Sequence, residues 1–369
     1  MTHEDYMRKA LALARKGMGF TSPNPMVGAV IVRDGEIIGT GYHKKYGDLH
    51  AERTAFAYCD ERGIDCTGAD MYVTLEPCCH HGKQPPCTEA VIAHGIKRVF
   101  VGSSDPNPLV AGKGTQILRG HGIEVTEGVL KEECDALNEI FFHFITTGLP
   151  FVTMKYAMTL DGKIACYTGE SKWITGEAAR AHVQQERLRH SAIMAGVRTV
   201  LADDPMLTCR LENGRDPIRI ICDSSLRTPL DSNIVRTAKQ VPTIIATVSE
   251  DSARAAEYEA AGCRIIKTAA KDGHVDLSAL MKLLGSEKID SILLEGGGEL
   301  NWSALREGIV SKVQAYIAPK LFGGSGKTPV GGTGVPFPSE AFMLEKCSVT
   351  SVGEDILIES RVKNVHGNN

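Results

Sequence analysis

The sequence contains few features that would place the protein in a membrane or on a nucleic acid. No run among its 369 residues approaches the about eighteen consecutive apolar residues that a membrane-spanning helix needs. The formal net charge is −4, so no general basic surface attracts nucleic acid or anionic lipid. The first residues, MTHEDYMRKALALARKG, lack an apolar segment behind a basic start, so we expect no signal peptide.

The cysteines do not form the pattern of a disulfide framework. There are eleven, an odd number, and most stand singly along the chain. A small secreted domain would instead carry dense, paired cysteines. We therefore expect reduced thiols in a cytoplasmic protein. The exception to the scattered pattern is TLEPCCHHGKQPPC, residues 74–87, where three cysteines and two histidines stand close together.

The length and one stop signal predict two domains. A chain of 369 residues is long enough for two. The segment LKEECDALNEIFFHFITTG, residues 130–148, reads as one long helix, and the glycine that ends it is soon followed by Pro150. We therefore predict domains over residues 1–148 and 149–369.

Both halves read as alternating helices and strands, which predicts the α/β class. In the first half, Asp34-Gly35 between two apolar runs predicts a β-hairpin. In the second half, the alternation ends in two strands, SKVQAYIAPKLFG and CSVTSVGEDILIESRVK. This ending predicts a mixed sheet rather than a purely parallel one.

Three donors from separate segments predict a catalytic zinc site. His50 stands at a helix start, Cys78 after a strand, and Cys87 at the next helix start. A helix N-terminus favours the thiolate that a metal needs. One histidine and two cysteines leave the fourth position of tetrahedral zinc open for water, as in catalytic sites. Glu52 is expected to move protons between this water and the departing ammonia.

The pattern H-x-E followed by P-C-x-x-C marks zinc nucleobase deaminases, and this chain departs from it in one place. The second spacing is P-C-x8-C, from Cys78 to Cys87. Cys79 and His81 are therefore alternatives to Cys87 as the third ligand. A closed structural zinc site with four ligands is a further alternative, but it leaves Glu52 without a role.

Motifs along nearly the whole chain resemble a known family. TSPNPMVGAVIV, HAE, TLEPCCHHGKQPPCTEAVI and DPNPLVAGKG resemble the deaminase half of the bifunctional riboflavin-biosynthesis deaminase–reductase. MKYAMTLDGKIA, GESKWIT, VLADDPMLTCR, LLEGGGEL and YIAPKLFGG resemble its reductase half. The long cysteine spacing is typical of this branch, so the resemblance supports Cys87 as the ligand.

The resemblance implies a fold, two reactions and two cofactors. The expected folds are a cytidine-deaminase-like three-layer α/β/α domain and a dihydrofolate-reductase-like α/β domain with a mixed sheet. The first reaction would remove the 2-amino group of 2,5-diamino-6-ribosylamino-4(3H)-pyrimidinone 5′-phosphate at one zinc ion. The second would use NADPH to reduce the ribosyl group to ribityl. A small-molecule substrate and a homo-oligomer, a dimer or tetramer, are also implied.

Several polar residues of the first half are candidates for substrate contacts. Asn24 lies in a rigid Pro-Asn-Pro segment and offers an amide to a base or ribose edge. His43 and Lys83 are expected to meet the phosphate or the ring. Asp105 and Asn107 follow a strand, where α/β sites collect, although turn chemistry would also explain them.

The reductase residues are carried over from the resemblance. The residues expected to face NADPH are Ala157, Trp173, Thr199, Asp203, Ser224 and Gly297. The residues expected to face the ribosyl substrate are Ser171, Arg187, Leu207, Arg210 and Glu295. A guanidinium fork suits a 5′-phosphate. Lys155, Asp203 and Glu295 are all candidates for the proton transfer that accompanies hydride delivery.

Two other functions compete with this interpretation. One is a nucleoside or tRNA deaminase fused to a folate-type reductase, which the order of the motifs and the acidic net charge disfavour. The other is a catalytically dead, zinc-containing ligand sensor, which would have no need for Glu52.

Overall fold

The computed structural model describes residues 1–82 and 84–363. The chain divides just after a helix, into the units Met1–Gly148 and Leu149–Asn369. Gly148 is in the left-handed region, with φ of 70°, and ends that helix at the position where glycine is favoured.

The N-terminal unit alternates helices and strands from its first residues. Its elements are α1 (His3–Ala14), a 3-10 turn (Arg15–Gly17), β1 (Gly28–Arg33), β2 (Glu36–Tyr42), α2 (Ala51–Asp60), β3 (Asp70–Leu75), α3 (Cys87–Ala93), β4 (Arg98–Ser103), α4 (Lys113–Gly120), β5 (Glu124–Glu127), α5 (Lys131–Leu137) and α6 (Glu139–Thr147).

The five strands form one sheet with helices on both faces. The strand order is β2-β1-β3-β4-β5, with β3, β4 and β5 parallel and β1 antiparallel to both of its neighbours. Alternate residues of one strand face opposite sides, so Met71 packs with α2 and α3, while Tyr72 packs with α1. The predicted three-layer α/β/α class is confirmed for this unit.

The predicted hairpin is present at its predicted turn. β1 and β2 pair antiparallel up to Arg33 and Glu36. Between them, Asp34 and Gly35 both have positive φ, 51° and 82°. A two-residue turn of this kind matches the right-handed twist of the strands, and Asp-Gly is one of the few dipeptides that adopt it.

The single long helix predicted over residues 130–148 is wrong, because the structure has two helices, α5 and α6. They are separated at Asn138, whose backbone leaves the helical region at φ −106° and ψ 22°. The Asn138 side chain accepts a hydrogen bond from the Met26 N–H at 2.9 Å and donates one to the Met26 carbonyl at 3.0 Å. The two hydrogen bonds to Met26 therefore hold Asn138 outside the helical conformation, and the helix is interrupted at this residue.

The C-terminal unit is larger and also alternates before it ends in strands. Its elements are β6 (Phe151–Thr159), α7 (Glu177–Arg189), β7 (Ala192–Gly196), α8 (Val197–Asp203), β8 (Ile218–Cys222), α9 (Asn233–Arg236), β9 (Thr243–Thr247), α10 (Ser252–Ala261), β10 (Arg264–Lys267), β11 (Ala270–Lys271), β12 (His274–Val275), α11 (Leu277–Ser286), β13 (Ser291–Leu294), α12 (Gly298–Arg306), β14 (Val310–Ala318), a 3-10 turn (Pro338–Glu340), β15 (Leu344–Val352) and β16 (Asp355–Val362).

Nine of these strands form a mixed sheet, as predicted. The order is β10-β9-β8-β7-β13-β6-β14-β16-β15. The strands from β10 to β14 in this order run parallel, and β16 is antiparallel to β14 and β15. On β7, Met194 and Ile193 belong to different apolar clusters, so both faces of the sheet are covered. The carboxyl ends of β6, β7, β8 and β13 point toward one edge, where α/β proteins bind ligands.

Two further observations concern the thiols and the helices of the described part of the chain. All eleven cysteines are free thiols. Within residues 1–82 and 84–363, none of the helices is both long and apolar enough to cross a membrane.

The structure predicts that Asn138→Ala destabilises the N-terminal unit. Asn138 is 2% exposed, and its removal leaves the N–H and carbonyl of Met26 without these partners. We expect a loss of about 1–3 kcal/mol in the free energy of unfolding. Hydrogen exchange of peptides from residues 1–148, measured across a urea series, reports this unit alone. The exposed Gln116→Ala is the control, and equal stability of the two variants would contradict the role given to Asn138.

Candidate active sites

Three donor atoms meet in the N-terminal unit where two helices begin beside the end of a strand. His50 is the N-cap residue of α2, Cys87 is the first residue of α3, and Cys78 follows the end of β3. His50 Nδ1 lies 3.5 Å from Cys78 Sγ and 3.4 Å from Cys87 Sγ. All three donor atoms lie within 4.8 Å of one another.

These separations fit a tetrahedral zinc ion. Typical Zn–N and Zn–S bonds with a tetrahedral angle place the nitrogen and sulfur atoms about 3.6 Å apart. The observed 3.4 and 3.5 Å are close to this value. Three protein donors leave one position of a four-coordinate ion for water. The residues present therefore fit a catalytic zinc ion better than a closed structural one.

The thiols are arranged so that one of them ionises readily. Hydrogen bonds from the Cys87 thiol, the His50 ring and the Cys87 N–H lower the pKa of Cys78 to about 4, against the opposing effect of burial. The pKa of Cys87 is raised well above the usual thiol value, because its proton is held by Cys78 and because it is buried. A thiolate is the form that binds a metal.

The two alternative ligands lie elsewhere. Cys79 Sγ faces the carbonyl of Leu109 at 3.7 Å. His81 is three-quarters exposed, with its Nε2 3.5 Å from a carboxylate oxygen of Glu89. Among the described residues, neither belongs to the cluster of potential metal ligands.

Glu52 lies beside this cluster on the first turn of α2. Its side chain is 3% exposed. Burial, reinforced by the negative charge of Cys78, raises the pKa of Glu52 to about 7. A carboxyl group of this kind can both accept and return a proton near neutral pH.

The structure joins two of the predicted substrate residues in one pair. Asn24 Nδ2 lies 3.2 Å from His43 Nε2, while His43 Nδ1 lies 3.1 Å from the carbonyl of Leu49. Burial lowers the pKa of His43, which favours the neutral form of the ring. The prediction that His43 meets the phosphate or the ring stays a prediction, and its contact with Asn24 suits it to orient that amide.

Asp105 and Asn107 lie together after β4 and make turn contacts. Asp105 Oδ1 accepts from the N–H of Asn107 at 2.9 Å, and Asn107 Oδ1 accepts from the N–H of Leu109 at 3.0 Å. Burial raises the pKa of Asp105 to about 6. Lys83, the remaining predicted contact, lies outside the described residues.

A cavity of about 620 Å³ in the C-terminal unit collects many of the predicted reductase residues. Thr199, Asp203, Ser224 and Gly297 line it, together with Ser171, which the sequence analysis assigned to the substrate. Thr199 and Asp203 lie on α8, directly after β7, while Ser224 follows β8 and Gly297 follows β13, as expected for a site at the carboxyl ends of parallel strands. Ser171 lies in the segment between β6 and α7.

Two predicted cofactor residues are not on the wall of this cavity. Trp173 is 59% exposed, and the guanidinium of Arg180 lies 4.7 Å from its ring centre. Ala157 packs instead against the apolar cluster that contains Tyr316 and Leu357.

Two arginines and a histidine of the cavity were not predicted from the sequence. Arg198, Arg227 and His274 line it beside Ser224. Arg198 is the second residue of α8, which directly follows β7, and Arg227 lies beyond the end of β8, so the strand ends were the signal available. His274 comes from the short strand β12, for which the sequence contained no comparable signal.

A second group of charges surrounds Glu295, at the end of β13. The Arg187 Nε and Nη2 atoms donate to the two carboxylate oxygens at 2.9 and 3.0 Å, and Lys155 Nζ lies 3.8 Å away. Burial would raise the pKa of Glu295, but the charges of Lys155, Arg187 and Arg210 lower it to about 2. Glu295 is therefore ionised at neutral pH.

Of the other two predicted substrate residues, Leu207 is buried and Arg210 is exposed. Leu207 is 4% exposed and packs in the apolar cluster with Val200 and Ile221, so its side chain belongs to the core. Arg210 has an exposed side chain, and its N–H donates to Gln184 Oε1 at 2.9 Å.

Comparison with known proteins assigns both units. Residues 1–103 match the cytidine and deoxycytidylate deaminase zinc-binding region, and residues 150–358 match the RibD C-terminal domain. A riboflavin biosynthesis protein RibD from Actinobacillus pleuropneumoniae is 58% identical over 360 residues, covering 97% of this chain and 95% of the relative. The chain belongs to the RibD family.

Other RibD proteins show the same full-length agreement. The RibD protein of Escherichia coli K12 is 40% identical over 371 residues, covering 97% of this chain and 99% of the relative. A crystal structure of a diaminohydroxyphosphoribosylaminopyrimidine deaminase/5-amino-6-(5-phosphoribosylamino)uracil reductase from Thermotoga maritima has a TM-score of 0.84, with 38% identity and 98% coverage of both chains. Acinetobacter baumannii RibD has a TM-score of 0.85, with 35% identity, and 98% and 99% coverage.

Membership of the RibD family confirms the predicted function. The chain is a bifunctional deaminase and reductase of riboflavin biosynthesis. The predicted cofactors, zinc for the deaminase and NADPH for the reductase, are confirmed with it. The dihydrofolate-reductase-like class predicted for the second unit is confirmed as well.

The geometry predicts which cysteine substitution removes the metal. The purified protein is expected to contain about one zinc per chain, because the described residues form one three-donor cluster. Cys87→Ser should lose this zinc, because Cys87 Sγ is one of the three donors. Cys79→Ser is the matched control and should keep it. Zinc content measured by atomic absorption would contradict the ligand set if the two variants behaved in the opposite way.

Proposed function

We propose that the N-terminal unit hydrolyses the 2-amino group of 2,5-diamino-6-ribosylamino-4(3H)-pyrimidinone 5′-phosphate. The C-terminal unit then reduces the ribosyl chain with NADPH to give 5-amino-6-ribitylamino-2,4-pyrimidinedione 5′-phosphate. The observation that carries the first step is the buried carboxyl of Glu52 beside the donors of His50, Cys78 and Cys87. The printed name of the Thermotoga maritima relative supports the choice of substrate.

The deaminase residues would have three roles, which are to hold the metal, to transfer a proton and to bind the substrate. His50, Cys78 and Cys87 would hold zinc, which lowers the pKa of a bound water to about 7. Glu52 takes a proton from the attacking water and delivers it to the departing amino group, so that water and the amine become a carbonyl and ammonia. Asn24, held by His43, would bind an edge of the ring or ribose.

The charge state of Glu295 ranks the candidates for the reduction. A carboxylate with a pKa of about 2 has no proton to give at neutral pH. Lys155, held beside it at 3.8 Å, is therefore our candidate for the proton that accompanies hydride delivery. Glu295 would hold Lys155 and Arg187 in place. Asp203 remains a neighbour of the cofactor, on the wall of the cavity.

The two arginines would have different roles toward the 5′-phosphate. Arg187 already uses Nε and Nη2 on Glu295 and Nη1 on the carbonyl of Thr208. Arg210 contributes positive charge near Glu295 and has an exposed side chain. We therefore assign the phosphate first to Arg210, with Arg187 as a fixed positive charge behind it.

The cellular setting is part of the same proposal. A cytoplasmic location is supported by the eleven free thiols, which a reducing compartment would maintain. A homo-oligomer, a dimer or a tetramer, is what the family resemblance implies.

Glu52→Gln separates the two activities. The amide keeps the size of the side chain but cannot accept and return the proton, so ammonia release should fall by a factor of about 100 or more. Zinc content should be unchanged, and NADPH oxidation on substrate that is already deaminated should continue at the parent rate. Ammonia and NADPH are followed separately in one assay. Deamination at the parent rate would remove Glu52 from the mechanism.

Glu295→Gln should lower the reductase activity and leave the deaminase activity unchanged. The substitution leaves Arg187 and Lys155 buried without their carboxylate, a change that costs about 3–5 kcal/mol in buried pairs. We expect kcat/KM for reduction to fall about 100-fold or more, with ammonia release unchanged. Glu259→Gln, an exposed acid on α10, is the control. Parent-like reduction by Glu295→Gln would reject the ranking of the three candidates.

A further inference from the structure

One buried carboxylate beside the zinc ligands has no role in the proposed chemistry. Glu76 follows β3 and precedes Cys78 by two residues. Its side chain is 3% exposed. A buried carboxylate is costly unless its oxygens receive hydrogen bonds. The partners of Glu76 therefore indicate what this residue does.

All four partners of Glu76 are backbone N–H groups from one stretch of chain, residues 105–115. Oε2 accepts from Asp105 at 3.3 Å and from Gly112 at 3.0 Å. Oε1 accepts from Gly114 at 3.0 Å and from Thr115 at 3.3 Å. No side-chain cation takes part in these four bonds. The carboxylate therefore holds backbone positions on both sides of a loop.

Glu76 also caps a helix that cannot cap itself. The N-cap residue of α4 is Gly112, which has no side chain, and no side-chain cap is present there. The first-turn N–H groups of a helix need acceptors, and a negative charge at this end is favourable. Glu76 supplies both the acceptor and the charge from the residue after β3, 38 positions before Gly114 in the chain.

A second contact shows how closely the same loop lies against the zinc-ligand turn. A Cβ atom on Gly114 would lie 2.2 Å from the carbonyl oxygen of Pro77, the residue before Cys78. Only glycine allows this approach. Cys79 Sγ adds a weaker contact to the carbonyl of Leu109. Residues 105–115 are thus joined to the turn that carries a metal ligand at several points.

We propose that Glu76 is a positioning residue for the deamination site. Its carboxylate holds residues 105–112 as a wall beside the zinc-ligand turn, with Asp105 and Asn107 presented on that wall. None of its four hydrogen bonds is made to a metal donor. This inference rests on the proposed function, because Asp105 and Asn107 are substrate contacts only under that proposal.

The geometry separates the effect of Glu76 on substrate binding from an effect on zinc. The three donor atoms are held by their own contacts and by the Cys87 N–H, which lies 3.4 Å from Cys78 Sγ. Loss of the Glu76 charge releases the wall and leaves this cluster in place. The expected signature is therefore a higher KM for deamination at unchanged zinc content.

The test uses the full-length Glu76→Gln variant, with zinc bound. The amide has one carbonyl oxygen and directs an NH2 group at two of the four N–H donors, so two bonds become unfavourable. Because the loosened wall would hold the substrate less well, we expect KM for the diaminopyrimidinone phosphate to rise about tenfold and kcat to change less than about threefold. Amide hydrogen exchange in residues 104–116 should speed up. Zinc content and NADPH-dependent reduction should stay at parent values.

Two further variants keep the proposal open to contradiction. Glu124→Gln, an exposed carboxylate on β5, is the matched control and should leave KM unchanged. Glu76→Asp keeps the charge on a shorter side chain, so its KM should lie between those of the parent and Glu76→Gln. This variant also allows the test if Glu76→Gln does not fold. Parent-like KM and exchange in Glu76→Gln, or loss of zinc with unchanged KM, would overturn the positioning role.

A different result would count against the proposed function instead. If the parent protein released no ammonia from this substrate, the substrate assignment would fail. The exchange measurement would still report whether Glu76 holds residues 104–116. The two failures are therefore distinguishable in one set of experiments.

Discussion

The N-terminal unit depends on one geometric constraint, that three soft donors must meet at the distances of a single ion. His50, Cys78 and Cys87 are contributed by two helix starts and a strand end, so the sheet and both helices must be in register for the donors to converge. The separations of 3.4 and 3.5 Å match those of a tetrahedral site. Glu52 follows from the same constraint, because it lies two residues beyond His50 on the same helix turn.

In the C-terminal unit the main constraint is the burial of a charged group. Glu295 is buried, yet it stays ionised because Arg187 and Lys155 lie against it. Burying such a group is unfavourable unless each charge has its partner. The arrangement presents a fixed cationic group at the end of β13, near a cavity whose wall also carries arginines. A cofactor with several phosphate groups and a phosphorylated substrate are compatible with this distribution of charge.

Local signals predicted the elements that are determined locally. The Asp34-Gly35 turn was predicted because its positive φ values restrict which residues occupy it. The break at Asn138 was missed, because it depends on a hydrogen-bonding partner, Met26, that lies 112 positions away. The contact between His43 and Asn24 was not predicted for the same reason, since it is not visible in the order of residues. Glu76 has no pattern that marks it, and its four partners are defined only by the fold.

The sequence by itself indicated the family and, through that resemblance, the two reactions, because motifs of both halves occur in order along nearly the whole chain. It also determined the α/β class and the mixed sheet, because apolar periodicity and turn residues act over short distances. Only the tertiary structure shows that Cys87 and not its neighbours meets His50 and Cys78, that Glu295 is ionised, and that Glu76 accepts four backbone hydrogen bonds. Each of these depends on distances and burial between segments far apart in the chain, and hydrogen bonds and pKa values follow from those distances rather than from residue order.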